Sequence, residues 1–216
     1  MGFASYSELK AEVAAWLSRD DVSVTVGGVD SYIDLAEAWM NRNLRARQMV
    51  TSVGTLMVSG GVITHPTAWL NWKAVTLNES PAISLQIVDE IGAIVYDPYG
   101  SSGGRPRKLI VRGDSSVMWP LPDGSGSSCA AVYYRKVPAL NVTDNGSLVS
   151  TNWVLSDYPD AYLYGSLLQA QARLVGDERI PLWQQGFDRA IAEIERDTER
   201  AEYGGSMLTP QPWGVV

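Results

Sequence analysis

Hydrophobic residues recur at helical spacing near both ends of the chain. Near the start, Leu9, Val13 and Leu17 lie on one face of a helix, and the polar residues between them face the other way. Ser5 and Glu8 have the spacing of a capping box, in which each side chain satisfies a backbone N–H of the other residue. This pattern predicts a first helix that begins at Ser5.

A second apolar stripe follows Asp30, which we expect to be the N-cap of the next helix. The segment SYIDLAEAWMNRNLRARQM places Tyr32, Trp39 and Leu44 on one face. Three arginines close the segment, where the helix dipole favours cations. The pattern therefore predicts a second helix that continues to Met49.

Two further helices are predicted near the end of the chain. The segment SDYPDAYLYGSLLQAQARLVG carries apolar residues on two faces, which predicts a helix that opens near Asp157 and Pro159 and is buried on two sides. Gly176 is a natural stop, and Pro181 fits the first turn of the next helix. Arg189 and Glu193 of that helix have the spacing of an ion pair. The short connection predicts an antiparallel hairpin of helices.

The middle of the chain has a different pattern of residues. Short β-prone runs such as TSVGTLMV, RKLIVRG and CAAVYYRKV are separated by Gly, Pro, Asp and Ser. Gly113 and Asp114 are expected to form a tight turn. The stretch ISLQIVDEIGAIVY fits either a helix or a strand, and we favour a short helix there. The predicted fold class is α+β: an antiparallel helical bundle formed by the N- and C-terminal helices, with a β-rich insertion and an extended C-terminal tail. The predicted segments are 1–49, 50–140, 141–203 and 204–216.

Composition narrows the range of functions. The chain has 216 residues and a net charge of −7, which disfavours a nucleic-acid-binding protein because such proteins present basic surfaces. Cys129 is the single cysteine, so an internal disulfide is excluded. No apolar run is long enough to span a membrane, and the first residues do not resemble a secretory signal. We therefore expect a protein that is made and used without secretion and contacts no membrane.

Candidate catalytic residues are sparse. Ser102 lies in GSSGG, which matches the nucleophile elbow of serine hydrolases, but the next predicted element is a strand instead of the required helix. The single histidine, His65, precedes Ser102, whereas that hydrolase family places the histidine after the serine. A lone histidine also makes a zinc site improbable. The sequence thus predicts no catalytic residue, no metal and no cofactor.

The densest basic patch, RPRK, includes Arg105, Arg107 and Lys108. Two interpretations remain open. Basic residues at the edge of a loop are usually solvated, but these three could also contact phosphate or an acidic partner.

Three segments carry a resemblance to a known family: YIDLAEAWMNRNLRARQM, YYRKVPAL and, above all, YPDAYLYGSLLQAQARLVGDERIPLWQQGFDRAIAEIERD. Over about Asp30 to Arg200 the chain resembles the head–tail adaptor proteins of tailed bacteriophages and gene-transfer agents. The resemblance implies a structural protein of the virion neck, without catalytic residues, that forms a ring of about twelve copies below the portal. It further implies that the ring extends the DNA channel and offers a platform for nozzle or tail proteins.

The tail of the chain, EYGGSMLTPQPWGVV, is apolar but too short to build its own core. Such a segment can become ordered when it docks on a partner. We expect it to bind grooves of the portal ring; the alternative is that it folds back on its own subunit. The predicted portal-binding residues are Met207, Leu208, Pro210, Pro212, Trp213, Val215 and Val216.

The negative charge agrees with a conduit for DNA, since an acidic wall repels phosphate. We expect unpaired carboxylates to line the channel and the genome to pass without specific binding. Two alternatives stay open. The protein could be a tail-completion or stopper protein that binds tail components, or a hydrolase that uses the loop of Ser102.

Overall fold

The computed structural model describes residues 5–17, 28–98, 103–122, 127–144, 147–173 and 177–203. These residues belong to two compact units. One unit is formed by residues 49–136, and the other combines the described residues of 1–48 with those of 137–216. We refer to them as the barrel unit and the helical unit.

The helices in the described ranges are α1 (Tyr6–Leu17), α2 (Val29–Asn43), α3 (Glu90–Tyr96), α4 (Trp153–Asp157), α5 (Pro159–Gln169) and α6 (Ile180–Tyr203). Short 3-10 segments occupy Arg47–Met49 and Ala170–Arg173. Helix α3 lies within the barrel unit, whereas the other helices belong to the helical unit. A two-stranded hairpin in the helical unit pairs Thr143–Asp144 with Ser147–Leu148.

Helix α5 is the centre of the helical unit, because it contacts α1, α2, α4 and α6. Its close approach to two neighbours depends on Gly165: a Cβ at this position would lie 3.0 Å from the Phe187 ring and 3.3 Å from Ala36. Tyr162 and Leu167 are also fully buried. The prediction of a helix buried on two sides is confirmed.

The predicted start of the first helix is nearly right, because α1 begins at Tyr6 and the Ser5 hydroxyl accepts a hydrogen bond from the Glu8 N–H at 3.4 Å. The predicted N-cap of the second helix is wrong. Gly28 occupies the cap position. The Asp30 carboxylate instead accepts a hydrogen bond from the Tyr6 hydroxyl and forms an ion pair with Lys10 at 2.6 Å. Because α2 begins at Val29, Asp30 lies inside its first turn, where its negative charge also suits the helix dipole.

The ends of two predicted helices also differ from the structure. Helix α2 stops at Asn43, since Leu44 is extended and Arg45 donates hydrogen bonds to the carbonyl groups of the last turn. The third helix, predicted to open near Asp157 and Pro159, does begin at Pro159 as α5, but its α-helical part ends at Gln169. A short helix that was not predicted, α4, precedes it, with a break at Tyr158. Pro159 explains the break, because proline disfavours a helical conformation in the residue before it.

The predicted fourth helix is confirmed as the continuous helix α6, with Pro181 in its first turn. The predicted ion pair is present as well, with 3.1 Å between Arg189 Nε and Glu193 Oε1.

The barrel unit is a closed barrel of seven strands: β1 (Val50–Ser59), β2 (Val62–Thr64), β3 (Trp69–Leu77), β4 (Ile83–Val88), β5 (Lys108–Arg112), β6 (Ser115–Trp119) and β7 (Ser128–Arg135). The order around the barrel is β1-β2-β6-β5-β4-β3-β7. The β4–β5 pair is parallel, and the other strand pairs of the barrel are antiparallel.

The predicted fold class, a helical bundle with a β-rich insertion, is therefore wrong. The structure is a closed seven-stranded barrel accompanied by several helices. The barrel closes because β1 pairs with β7 on one side and with β2 on the other. Alternate side chains of the strands then point into a common core, as the alternating burial of β6 and β7 shows. This core contains Ile63, Trp72, Leu77, Leu109, Met118 and Cys129 among its buried residues.

The parallel pair explains the position of α3. Parallel strands need a crossover connection, and here α3 forms part of the connection between β4 and β5. Because side chains fill the interior of the barrel, the helix lies against β5. The segment ISLQIVDEIGAIVY, predicted to contain a short helix, thus holds both a strand and a helix. The turn at Gly113 and Asp114 between β5 and β6 is confirmed.

Candidate interaction surfaces

Helix α3 presents apolar side chains to solvent. Its N-terminus is capped by Asp89, whose carboxylate accepts a hydrogen bond from the Gly92 N–H at 2.8 Å. Ala93 is the buried residue of this helix. Ile91 is 71% exposed and Val95 is 76% exposed. With two exposed neighbours on the same helix they form a surface that we name the α3 face: Ile91, Ile94, Val95 and Tyr96.

Polar contacts fix α3 to the barrel. Glu90, in its first turn, forms an ion pair with Arg112 of β5. Beyond its last turn, the Asp97 carbonyl accepts a hydrogen bond from the Trp119 indole at 2.8 Å. The Lys108 ammonium lies 4.8 Å from the centre of the Tyr96 ring. The α3 face is therefore held in place at both ends while its apolar side chains stay exposed.

The three basic residues predicted to contact a partner do not share one environment. Arg105 forms an ion pair with Glu79 at 3.8 Å and donates a hydrogen bond to the Pro81 carbonyl at 3.3 Å. The Lys108 ammonium contacts Gln86 and the α3 face. Arg107 has an exposed side chain, and its backbone N–H donates to Trp119. Their role as a partner contact stays a prediction.

His65 takes part in packing within the barrel unit. Its Nε2 lies 2.8 Å from the Ser116 hydroxyl oxygen, which also accepts a hydrogen bond from the Trp72 indole at 2.8 Å. Because an indole N–H can only donate, Ser116 is the acceptor in its bond with Trp72, and its hydroxyl can act as donor or acceptor toward His65 according to the imidazole tautomer. Burial lowers the pKa of His65. Ser116 is fully buried, so this Ser–His pair offers no nucleophile to a substrate. Ser102 lies outside the described residues.

Glu37 is the centre of a buried polar network in the helical unit. Its carboxylate accepts hydrogen bonds at 2.9 Å from the Leu140 N–H and from the Tyr162 hydroxyl. Asn152 donates to Tyr162 at 2.6 Å and to the Pro138 carbonyl at 2.8 Å. Burial, together with the charge of Asp34, raises the pKa of Glu37 to about 7, although the hydrogen bonds from Leu140 and Tyr162 act to lower it. Burial also raises the pKa of Tyr162.

All seven predicted portal-binding residues, from Met207 to Val216, lie outside the described residues. Over the ranges that the structure describes, no group of three or more His, Cys, Asp or Glu residues could hold a metal ion. No helix in those ranges is long and apolar enough to cross a membrane.

The α3 face was missed by the sequence analysis. Asp89 followed by an apolar helical run was a usable signal for a short capped helix, but the sequence does not show which side of that run is buried. An apolar run is normally assigned to the core.

Comparison with known proteins identifies the family. The family model described as SU10 adaptor protein matches residues 4–210. No curated protein matches the chain. The match covers nearly the whole sequence and confirms the resemblance carried by the helical segments. The chain belongs to the SU10 adaptor protein family, a family of phage head–tail adaptors.

Proposed function

We propose that this virion protein forms a ring of about twelve copies below the portal, extends the DNA channel and supports the tail or nozzle proteins. The match to the adaptor family over residues 4–210 is the observation that carries the proposal. In this role the protein acts through contacts with its neighbours and makes or breaks no bond. A stopper that binds only tail components is less well supported, because the matching family is one of adaptors.

The distribution of charge supports a role as a conduit. Residues 49–136 contain seven Lys and Arg and six Asp and Glu, whereas the rest of the chain contains ten and eighteen. The acidic excess therefore belongs to the segments of the helical unit. We propose that unpaired carboxylates of this unit line the channel, where they repel the phosphates of passing DNA.

We further propose that the tail after Tyr203 docks on the portal. Residues 204–216 contain no charged side chain and include Trp213, a residue type that often anchors protein interfaces. Gly204 and Gly205 allow the chain to turn away from α6. The tail would lose its conformational freedom only when it binds, and the apolar surface that it buries would offset this cost.

Deletion of residues 204–216 tests the docking proposal. The truncated protein should remain folded, as measured by circular dichroism, but should no longer bind purified portal rings in sedimentation or electron microscopy. A matched control carries a Gly/Ser tail of the same length, which separates the loss of apolar side chains from the loss of chain length. Unchanged binding by either variant would contradict the proposal.

A further inference from the structure

The α3 face is unusual because a helix normally buries its apolar stripe. Only Ala93 of α3 is buried, whereas Ile91, Ile94 and Val95 point toward solvent. Contiguous exposed apolar side chains of this kind mark interaction sites in soluble proteins. The ion pair of Glu90 with Arg112 holds the helix in this orientation, so the exposure is part of the folded barrel.

A second exposed surface lies on β1. Met57 is 69% exposed, and Ser52, Gly54 and Thr55 are exposed beside it. The pairing with β7 is interrupted between Val53 and Leu56, and a Cβ at Gly54 would meet no atom within 4 Å. This surface, which we name the β1 wall, comprises Ser52, Gly54, Thr55 and Met57. Because Gly54 has no side chain and Ser52 has a small one, the side chains of another protein can approach the β1 backbone closely here.

The α3 face and the β1 wall lie on opposite sides of the barrel. Strand β5, against which α3 packs, is three strands from β1 through β6 and β2. Strand β4, which leads into α3, is three strands from β1 through β3 and β7. In a closed barrel of seven strands, three is the largest possible separation. The two surfaces therefore face away from each other.

The side chains that define the two surfaces are uncharged, and an exposed carboxylate beside the α3 face, Asp89, accepts a hydrogen bond from the helix N-terminus. Strand β1 contains no charged residue. On the α3 face, Glu90 is neutralised by Arg112, and the Lys108 ammonium contacts Gln86 and the Tyr96 ring. Contacts between two chains of the same net charge are favoured where the touching surfaces are apolar and internally neutralised.

We propose that the α3 face of one copy packs against the β1 wall of the next copy, so that neighbouring barrels form part of the contacts that close the ring. This inference rests on the proposed ring. A ring is built from heterologous contacts, in which two different surfaces of each subunit meet different neighbours. In a ring of about twelve copies these surfaces point about 150° apart, which fits opposite sides of one barrel.

Cysteine cross-linking tests the contact directly. In the double variant Met57→Cys with Val95→Cys, a short bismaleimide should join each copy to the next once rings have assembled on portal. Denaturing gels should then show a ladder that extends to the size of the ring. The native Cys129 contributes little background, because it is fully buried and burial raises the pKa of its thiol to about 11.

Two control variants separate this contact from other arrangements. The single variant Val95→Cys should stay monomeric on the gel, since dimers would show that two α3 faces meet each other, which overturns the proposal. The control variant Ser84→Cys with Val95→Cys places both thiols on the side of the barrel that carries α3, where Ser84 is exposed on β4. It should give no ladder, and a ladder as strong as that of the test variant would also overturn the contact.

Failure of this contact can be distinguished from failure of the proposed function. If electron microscopy shows wild-type rings on portal but the double variant gives no ladder, the barrel contact is wrong and the ring remains. If the wild-type protein forms no ring on portal, the proposed function itself is wrong. A charge exchange adds a second measurement: Val95→Lys and Met57→Glu should each reduce ring assembly at least tenfold, and the two together should restore most of it.

Discussion

The two units of this protein both have apolar cores, but they differ in the unusual side chains that each buries or exposes. The helical unit buries a carboxyl group, Glu37, within a network of hydrogen bonds from two other segments. The barrel unit fills its core with apolar side chains and satisfies its buried Ser116 with Trp72 and His65. On its outside, however, the barrel exposes the apolar α3 face.

This difference indicates how each unit should respond to a change in conditions. The stability of the helical unit depends on the protonation of Glu37, so it should vary with pH. The stability of the barrel unit depends on packing, so it should vary with the volume of core side chains. The local free energy of opening, which amide hydrogen exchange reports for each peptide, separates the two responses.

The largest effect is expected for Trp72→Ala. The indole is 3% exposed in the barrel core, and its loss leaves a cavity and removes the hydrogen bond to Ser116. We expect a loss of about 3–5 kcal/mol in the free energy of unfolding, measured by denaturant titration. Trp72→Phe, which keeps an aromatic ring, should cost less.

In hydrogen exchange, Trp72→Ala should accelerate peptides of β3 and β7 more than peptides of α2 and α5. Equal acceleration in both units would show that they unfold as one, and the comparison drawn above would then fail.

The second effect concerns pH. The folded-state pKa of Glu37, about 7, lies above its unfolded value of 4.5, so the folded state favours the protonated carboxyl. The stability that this preference adds to the free energy of unfolding is fully present below pH 4.5 and is lost as the pH rises through 7. Between pH 5 and 8 the helical unit should lose about 2–3 kcal/mol through this group.

Glu37→Gln is the matched variant for the pH effect. An amide oxygen can still accept the hydrogen bonds of Leu140 and Tyr162, but it does not ionise. The unfolding free energy of this variant should depend less on pH between 5 and 8 than that of the wild type. If the two pH profiles are parallel, Glu37 does not control the stability of the helical unit.

The smallest effect is expected for Arg112→Ala, which breaks the ion pair with Glu90. Both side chains are about half exposed, so the pair should contribute no more than about 1 kcal/mol. The change should be visible as faster hydrogen exchange in α3, with little effect on β1 and β7. A loss of several kcal/mol would show that α3 supports the whole barrel, and would contradict its description as a helix attached to the barrel surface.

Much of the helical unit could be predicted from the sequence, because its helices have a local period. Leu9, Val13 and Leu17 are all buried on α1, as their spacing indicated. One error, the N-cap of the second helix, involves a side chain that contacts a residue far away in the sequence. Asp30 fits an N-cap, but Lys10, twenty positions earlier, takes its carboxylate. No local pattern reports such a contact.

The barrel could not be predicted in the same way. Its closure depends on the pairing of Val50 with Tyr134 and of Met57 with Ser128, which joins strands that are far apart in the sequence. Local patterns located most of the strands but carried no signal for their order. For the same reason, the sequence did not show that Ile91 and Val95 stay outside the barrel.

The pairing of β1 with β7 has a consequence for the proposed ring, in which many copies would lie side by side. A sheet with a free border offers unpaired backbone groups, to which a strand of another chain can add, and this is a common route to aggregation. In this barrel, β1 and β7 satisfy each other along that border. Along this β1–β7 pairing, adjacent copies in the proposed ring would therefore meet through side chains, without adding a strand to a shared sheet.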